Sequence, residues 1–379
     1  MKYLKLILLL VFLSAAALYV YANERSDGSK TFKVNKGGTL KLSILTGDIT
    51  IYSWDKNELN VTLEGADESD YNQLKMEQSG STITVQSNYL GGWSSSDVKI
   101  SLPSEFNIEL KTNQGDVDLN SSIKGYVNIF TGGGDITIKN VSGKAELKTN
   151  GGDIRTGNIY GNLDLSSNGG DINVGDVNGK GNIHTMGGSI RSGNISKDLT
   201  AKTFGGDITI GDIGGSADIT TMGGSISLKK VAGSATVKTN GGNIKLLGAT
   251  GFVKSKTLGG DINLYNITGT VDANTSSGNI YAELKPSGKG SSNLYTLNGG
   301  IKLMIDPNAK ATVEAEVKLR GWDGSEDGEK MIESDFPAKS YENGSSSGNV
   351  NAAYLINGGG DLIKLTTMNE KIQIKKLRK

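Results

Sequence analysis

Thr149-Asn150-Gly151-Gly152-Asp153-Ile154 returns 18 residues later as Ser167-Asn168-Gly169-Gly170-Asp171-Ile172, and 18 after that as Thr185-Met186-Gly187-Gly188-Ser189-Ile190. Following the fifth residue of this motif gives nine copies, at Asp135, Asp153, Asp171, Ser189, Asp207, Ser225, Asn243, Asp261 and Asn279, each followed by Ile and with no insertion or deletion between them. A globular core has no reason to hold every connection to one length. Identical turns stacked on one another do.

With the Asp column as position 1, position 2 is Ile throughout and position 4 is mostly apolar (Ile138, Val174, Ile210, Leu228, Leu246, Leu264). Position 7 holds Val141, Ile159, Val177, Ile195, Ile213 and Val231, while positions 11 and 13 are small or apolar, as in Leu163, Leu165, Ala217 and Ile219. These spacings have the period of a strand, and nothing recurs at helical spacing. Short strands divided by Gly corners should therefore wrap an apolar axis. Each should pair in parallel with its equivalent one coil away, like residue over like. The Gly columns imply either positive φ or close backbone approach. A Thr row at position 15 and an Asn/Asp row at position 6 (Asn140, Asn158, Asp176, Asn194, Asp212) are placed to hydrogen-bond from coil to coil. At roughly 1.5–3 kcal/mol per buried apolar side chain before entropy, such a core is large. The chain contains no Cys, so no disulfide assists it.

Outside the array the pattern loosens. Residues 31 to 110 read as antiparallel or irregular strands, with a degenerate repeat at Thr46-Gly47-Asp48-Ile49 and a better one at Asn113-Gln114-Gly115-Asp116-Val117. Beyond Asn279 the spacing breaks near Pro286 and resumes at Leu297-Asn298-Gly299-Gly300-Ile301. An acidic segment follows at roughly 321–349, and the last strand, Leu365 to Ile374, is expected to cap the open end, as solenoids require atypical ends. The chain thus divides into a leader (1–22), an N-terminal β region and cap (23–110), a repeat array (111–305) and C-terminal strands with an acidic loop and cap (306–379).

Lys2 and Lys5 precede an apolar run from Leu6 to Val20, and Val20-Tyr21-Ala22 has small residues where a signal peptidase reads. The run is short for a span of about 20 residues, so a cleaved leader and an exported protein are expected, periplasmic, on the cell surface or extracellular, with no stable membrane span after cleavage. Without Cys, lipoprotein anchoring is excluded. Forty basic and forty acidic side chains cancel, and no Lys/Arg stripe interleaves with aromatics, which argues against nucleic acid as a partner. Gly at 54 residues with only 4 Pro fits repeated tight turns in sheet rather than a linker.

The Gly-Gly-Asp-Ile repeats carry a resemblance, together with Gly38-Thr39-Leu40-Lys41-Leu42, Tyr52-Ser53-Trp54-Asp55 and the closing Thr367-Met368-Asn369 with Ile372. The chain resembles the bacterial putative adhesin family of β-strand-repeat envelope proteins, a domain of unknown function, and is similar to the head domain of putative autotransporter adhesins. The resemblance spans nearly all of the chain after the leader. It implies an all-β, right-handed parallel β-helix with irregular caps at both ends, located at the bacterial cell envelope. It transfers no catalytic residue.

His184 is the only histidine and stands at position 14, outward by parity, among Lys, Ser, Thr and Asn; a surface role is expected, since a Ser-His-Asp hydrolase needs irregular loops to gather its parts. Asp135, Asp153 and Asp171 should stack about 5 Å apart, where like charges repel by roughly 1 kcal/mol per pair even at water's dielectric constant. A cation would relieve this, but Ser189, Ser225 and Asn243 occupy the same column, which favours turn residues bonding their own backbone over calcium. The sequons at Asn140, Asn194 and Asn266 follow from the same turn preference. Asp323, Glu326, Asp327 and Glu329 are expected to be a solvated loop. No metal or cofactor is expected.

Position 16 reads Asn150, Asn168, Met186, Phe204, Met222, Asn240, Leu258. Two placements are open. Either the corner changes parity and tucks these side chains over the core, or, if the Thr row faces inward, Met186, Phe204 and Met222 form an exposed apolar ridge on three successive coils, a candidate partner-binding surface. The reading that follows is a non-catalytic exported envelope or cell-surface β-solenoid, an adhesin or scaffold that binds a glycan or an envelope protein. The alternative is a polysaccharide-active β-helix enzyme, lyase or hydrolase, whose cleft would have to come from residues 284 to 350.

Overall fold

The computed structural model describes residues 28–64, 74–87, 97–319, 331–342 and 348–377. The leader 1–22 and the acidic side chains Asp323, Glu326, Asp327 and Glu329 lie outside the described residues. Every regular element among the described residues is a strand. No helix there is long and apolar enough to cross a membrane.

Two long parallel ladders form the repeat array. In the first, Ile136–Ile138 pairs with Ile154–Thr156, then Ile172–Val174, Ile190–Ser192, Ile208–Ile210, Ile226–Val231, Ile244–Ala249 and Ile262–Ile267. Ile stands on Ile at each step. In the second, Ala145–Thr149 pairs with Leu163–Ser167 and the series runs on through Gly181–Thr185 and Leu199–Lys202 to Val271–Thr275. A third line of single bridges joins Val141, Ile159, Val177, Ile195, Ile213 and Val231. Side chains at positions 2, 4, 7, 11 and 13 point between these walls; Ile136, Ile154, Ile172, Ile190 and Ile208 are fully buried. The result is a solenoid-like stack with one continuous core.

In the array the corner glycines serve close approach rather than unusual φ. A Cβ on Gly170 would sit 2.1 Å from the Gly152 carbonyl oxygen of the preceding coil, so neighbouring corners nest only where neither carries a side chain. Positive φ occurs elsewhere, as at Gly115 at 121°, where the array begins, and at Asn266 at 51°, beside a register shift between Leu264 and Ile267.

The ends depart from the expected order. Of the strands that read as antiparallel or irregular, those at 31–33 and 59–63 are antiparallel, while those at 40–44 and 82–85 instead join the parallel ladders out of sequence. Gly38–Thr46 pairs with Thr82–Ser87 on one side and Phe106–Gln114 on the other, and Ile49–Trp54 lies between Asp97–Pro103 and Val117–Leu119. The first coil of the chain is thus the second of the stack. Antiparallel strands close this end: Leu74–Ser79 on Thr82–Ser87, Glu58–Glu64 on Asp97–Pro103, and Ser29–Lys33 on Glu58–Glu64.

The other end mirrors it. Asp361–Met368 inserts between Ser292–Thr296 and Ala311–Lys318, and Ile372–Lys376 between Ile301–Ile305 and Ile332–Ser334. The final strand therefore does not cap the stack, as its terminal position had suggested. The cap is the antiparallel pair made by Asn349–Ile356 with Ala311–Lys318, on which Ser340–Glu342 also lies.

Candidate functional site

The Thr row fixes which way position 16 faces. Thr149, Thr185, Thr257 and Thr275 are fully buried, and the hydroxyls of Thr149, Thr185 and Thr257 are each engaged twice. Thr149 Oγ1 donates to the Gly134 carbonyl of the preceding coil at 2.8 Å and accepts the Gly152 N–H at 3.2 Å. The same pair of bonds holds Thr185 to Gly170 and Gly188, at 2.9 and 3.4 Å. A buried hydroxyl left unpaired would be costly, so this column is locked inward and its neighbour turns out. Met186, Phe204 and Met222 are 44%, 52% and 48% exposed. The placement over the core is excluded.

The ridge is continuous. The Phe204 N–H donates to the Met186 carbonyl and the Met222 N–H to the Phe204 carbonyl, both at 3.2 Å, so the three side chains stand on adjacent coils. Leu258, two coils beyond Met222, is 47% exposed in the same column. Phe252, at a different position in its coil, is also exposed. It was missed because column reading looks for recurrence, and an outward aromatic occurring once leaves none.

The Asp column bonds differently from the expectation. Its side chains do not fold back on their own turns. Each carboxylate instead accepts the backbone N–H of the equivalent residue one coil on: Asp135 Oδ1 from Asp153, Asp153 Oδ1 from Asp171 and Asp171 Oδ1 from Ser189, all at 2.7 Å. Ser189 and Asn243 do likewise through Oγ and Oδ1, which explains why Ser, Asn and Asp share the column. Arg155 takes the free oxygens of Asp135 and Asp153 at 3.2 and 2.6 Å, and Arg191 lies 3.9 Å from Asp171. Repulsion along the ladder is thus offset by backbone dipoles and guanidinium. Among the described residues no group of three His, Asp or Glu side chains is arranged to hold a metal ion. The position-6 row works the same way, with Asn140 Oδ1 accepting the Asn158 N–H at 2.8 Å. At the array's start the acidic residues crowd, and the Asp118 carboxyl is pushed up by burial first, then by the charges of Asp116, Asp48 and Asp135.

His184 lies half-buried on the outer face, with Ser166 and Lys202 in register on the adjacent coils. A row of outward side chains does not converge on a reacting atom. Where the 284–350 segment meets the array, Gly269, Pro286, Lys289, Ser292 and Asp361 line a cavity of about 10 Å³, room for a single water rather than a sugar. A shallow hollow of about 320 Å³ opens on the outer face near the N-terminal end, lined by Lys41, Gln86, Glu109, Lys111, Asn128 and Phe130. There Lys41 Nζ lies 3.3 Å from Glu109, and Tyr126 donates to the same carboxylate, holding it below its usual range.

Comparison with known proteins finds no match among curated proteins. Among solved structures, a putative adhesin from Parabacteroides merdae ATCC 43184 is 15% identical, with 73% of this chain and 95% of that one covered and a TM-score of 0.28. One from Parabacteroides distasonis ATCC 8503 is 16% identical over 73% and 92%, TM-score 0.28. A third, from Bacteroides fragilis NCTC 9343, is 13% identical over 92% and 96%, TM-score 0.20. Residues 39–212, from the inserted first coil into the regular array, match the model of the Toastrack DUF4097 family, in line with the resemblance that the Gly-Gly-Asp-Ile repeats carry.

Proposed function

We propose that this protein is a non-catalytic, exported envelope or cell-surface β-solenoid, right-handed with 18 residues per coil, that docks a partner along the Met186, Phe204, Met222 ridge. The observation that carries this reading is the ridge itself: large apolar side chains, each about half exposed, on three consecutive coils. Apolar side chains repeated at one spacing suit many weak contacts along an extended partner, whereas catalysis needs convergent groups. The Asp and Thr rows are spent on coil-to-coil bonding, so neither is free for chemistry. A glycan would be held apart from the ridge, in the hollow at Lys41, Glu109, Asn128 and Phe130, whose carboxylate, amide and ring suit hydroxyls and a sugar face.

The test is attachment of the full chain to whole bacterial cells. Changing Met186, Phe204 and Met222 together to Ser should weaken attachment with melting unchanged, and His184→Ala should alter neither. Attachment that survives the ridge change but is lost on calcium chelation would move the role to the Asp column and overturn the proposal.

A further inference from the structure

Zero net charge conceals a separation of charge along the axis. Between Asp218 and Asp261 the chain carries six lysines, at 229, 230, 238, 245, 254 and 256, and no acidic residue. All six are exposed. Half of them gather on one face. Around the strand Val253–Lys256, the side chains of Phe252, Lys254, Lys256 and Leu258 point outward while Val253, Ser255 and Thr257 are buried. Lys256 stands in register with Lys238 on the preceding coil, about 4.8 Å away along the axis. Like charges placed directly opposite each other in a sheet are destabilising, so this arrangement costs stability unless an anion covers it.

The lysines flank the C-terminal end of the ridge, in the coils of Asn240 and Leu258. Lys202, Lys238 and Lys256 share position 14; Met186, Phe204, Met222 and Leu258 share position 16, the next outward row. Lys202 is partly neutralised by Asp218 at 3.7 Å. Backbone bonds of 3.1–3.2 Å link Met186, Phe204, Met222, Asn240 and Leu258 in turn, so the row spans five coils, apolar at all but Asn240, on the order of 20 Å.

We propose that this flank docks on an anionic lipid bilayer, with Met186, Phe204, Met222 and Leu258 entering the headgroup layer and Lys238, Lys254 and Lys256 meeting its phosphates. The proposal rests on the ridge being the contact surface and names its partner. Aliphatic Met and Leu side chains offer nothing to sugar hydroxyls and do not stack on bases, whereas an apolar row edged by lysines is the composition that binds membrane interfaces. The rigid coils hold the rows in place, so little ordering is required on contact.

The experiment is co-sedimentation of the full chain with vesicles of phosphatidylglycerol and phosphatidylcholine, against vesicles of phosphatidylcholine alone. Binding is expected only to the anionic vesicles and should fall with added salt. Lys238→Gln, Lys254→Gln and Lys256→Gln together should weaken it roughly 100-fold. Their melting temperature should be equal or higher, since like charges are removed. Phe204→Trp should show a blue-shifted emission on binding. Equal binding to both vesicle types, or full binding by the triple Gln variant, overturns the proposal. If vesicles are not bound but attachment to cells still depends on the ridge, the lipid assignment falls and the ridge reading stands; if attachment to cells ignores the ridge, that reading falls instead.

Discussion

Ile208 tests the register of the stack at a single residue. It is fully buried, with Ile190 and Ile226 as its register partners. Ile208→Asp places a charge where nothing pairs it, and should cost more than about 4 kcal/mol in denaturant unfolding; an unchanged midpoint would place the column outside. Asp118 tests the acidic start of the array. Its folded pKa is raised, first by burial, so the stability it contributes is complete below its ordinary value near ~3.9 and is lost as pH rises through the folded value. Asp118→Asn should therefore raise the melting temperature at neutral pH, with the gain disappearing in acid. A gain that persists in acid would mean the carboxylate is not what is strained. The Asp and Asn rows also show a limit of single-residue reading. Short polar side chains next to glycine suit both a bond to their own turn and one to the next coil, and only the approach of neighbouring corners selects the second.

At the scale of the coil, the repeat is a unit that can be removed. Excising residues 207–224 joins Gly206 to Ser225 and leaves every column aligned, so the shortened chain should fold with the same circular dichroism and a somewhat lower melting temperature, as expected when stability sums over neighbours. Excising only 207–214 joins Gly206 to Gly215 and puts the outward residues Ser216 and Asp218 at the inward positions 2 and 4. That variant should fail to give a cooperative transition, and if it folded as well as the other, the period would not govern packing. Position 16 was legible only in part at this scale. Its exposure depends on whether parity holds through the corner, and the hydroxyls of Thr185, Thr203 and Thr221, each bonded to a Gly carbonyl, are what hold it.

At the scale of the whole molecule, the first coil (Gly38–Trp54) and the last two strands (Asp361–Lys376) are each threaded one coil inward. Truncation after Gly360 would remove Asp361–Met368 and Ile372–Lys376 from between Ser292–Thr296 and Ile301–Ile305 on one side and Ala311–Lys318 and Ile332–Ser334 on the other. Amide exchange in 292–318 should then rise to near-unprotected rates while the array from 136 to 267 stays protected. A peripheral last strand would leave 292–318 unchanged, and that outcome would refute the insertion. Antiparallel strands cover the outer edges of Thr82–Ser87, Asp97–Pro103 and Ala311–Lys318, which blunts end-to-end association there.

Periodicity by itself determined the all-β class, the parallel pairing and the inward Ile columns, because each contact in the array joins a residue to the one 18 places on and so is written into the spacing. Tertiary structure alone decided the order of the end coils. Leu40 lies between Ile83 and Ile108, and Leu365 between Leu294 and Ala315; alternating strands of equal quality are compatible with several such orders, and only the closing of long loops around a shared core distinguishes them. It also decided which side chains border one another on the surface, since the lysines of one row and the apolar residues of the next meet only when the coils are stacked.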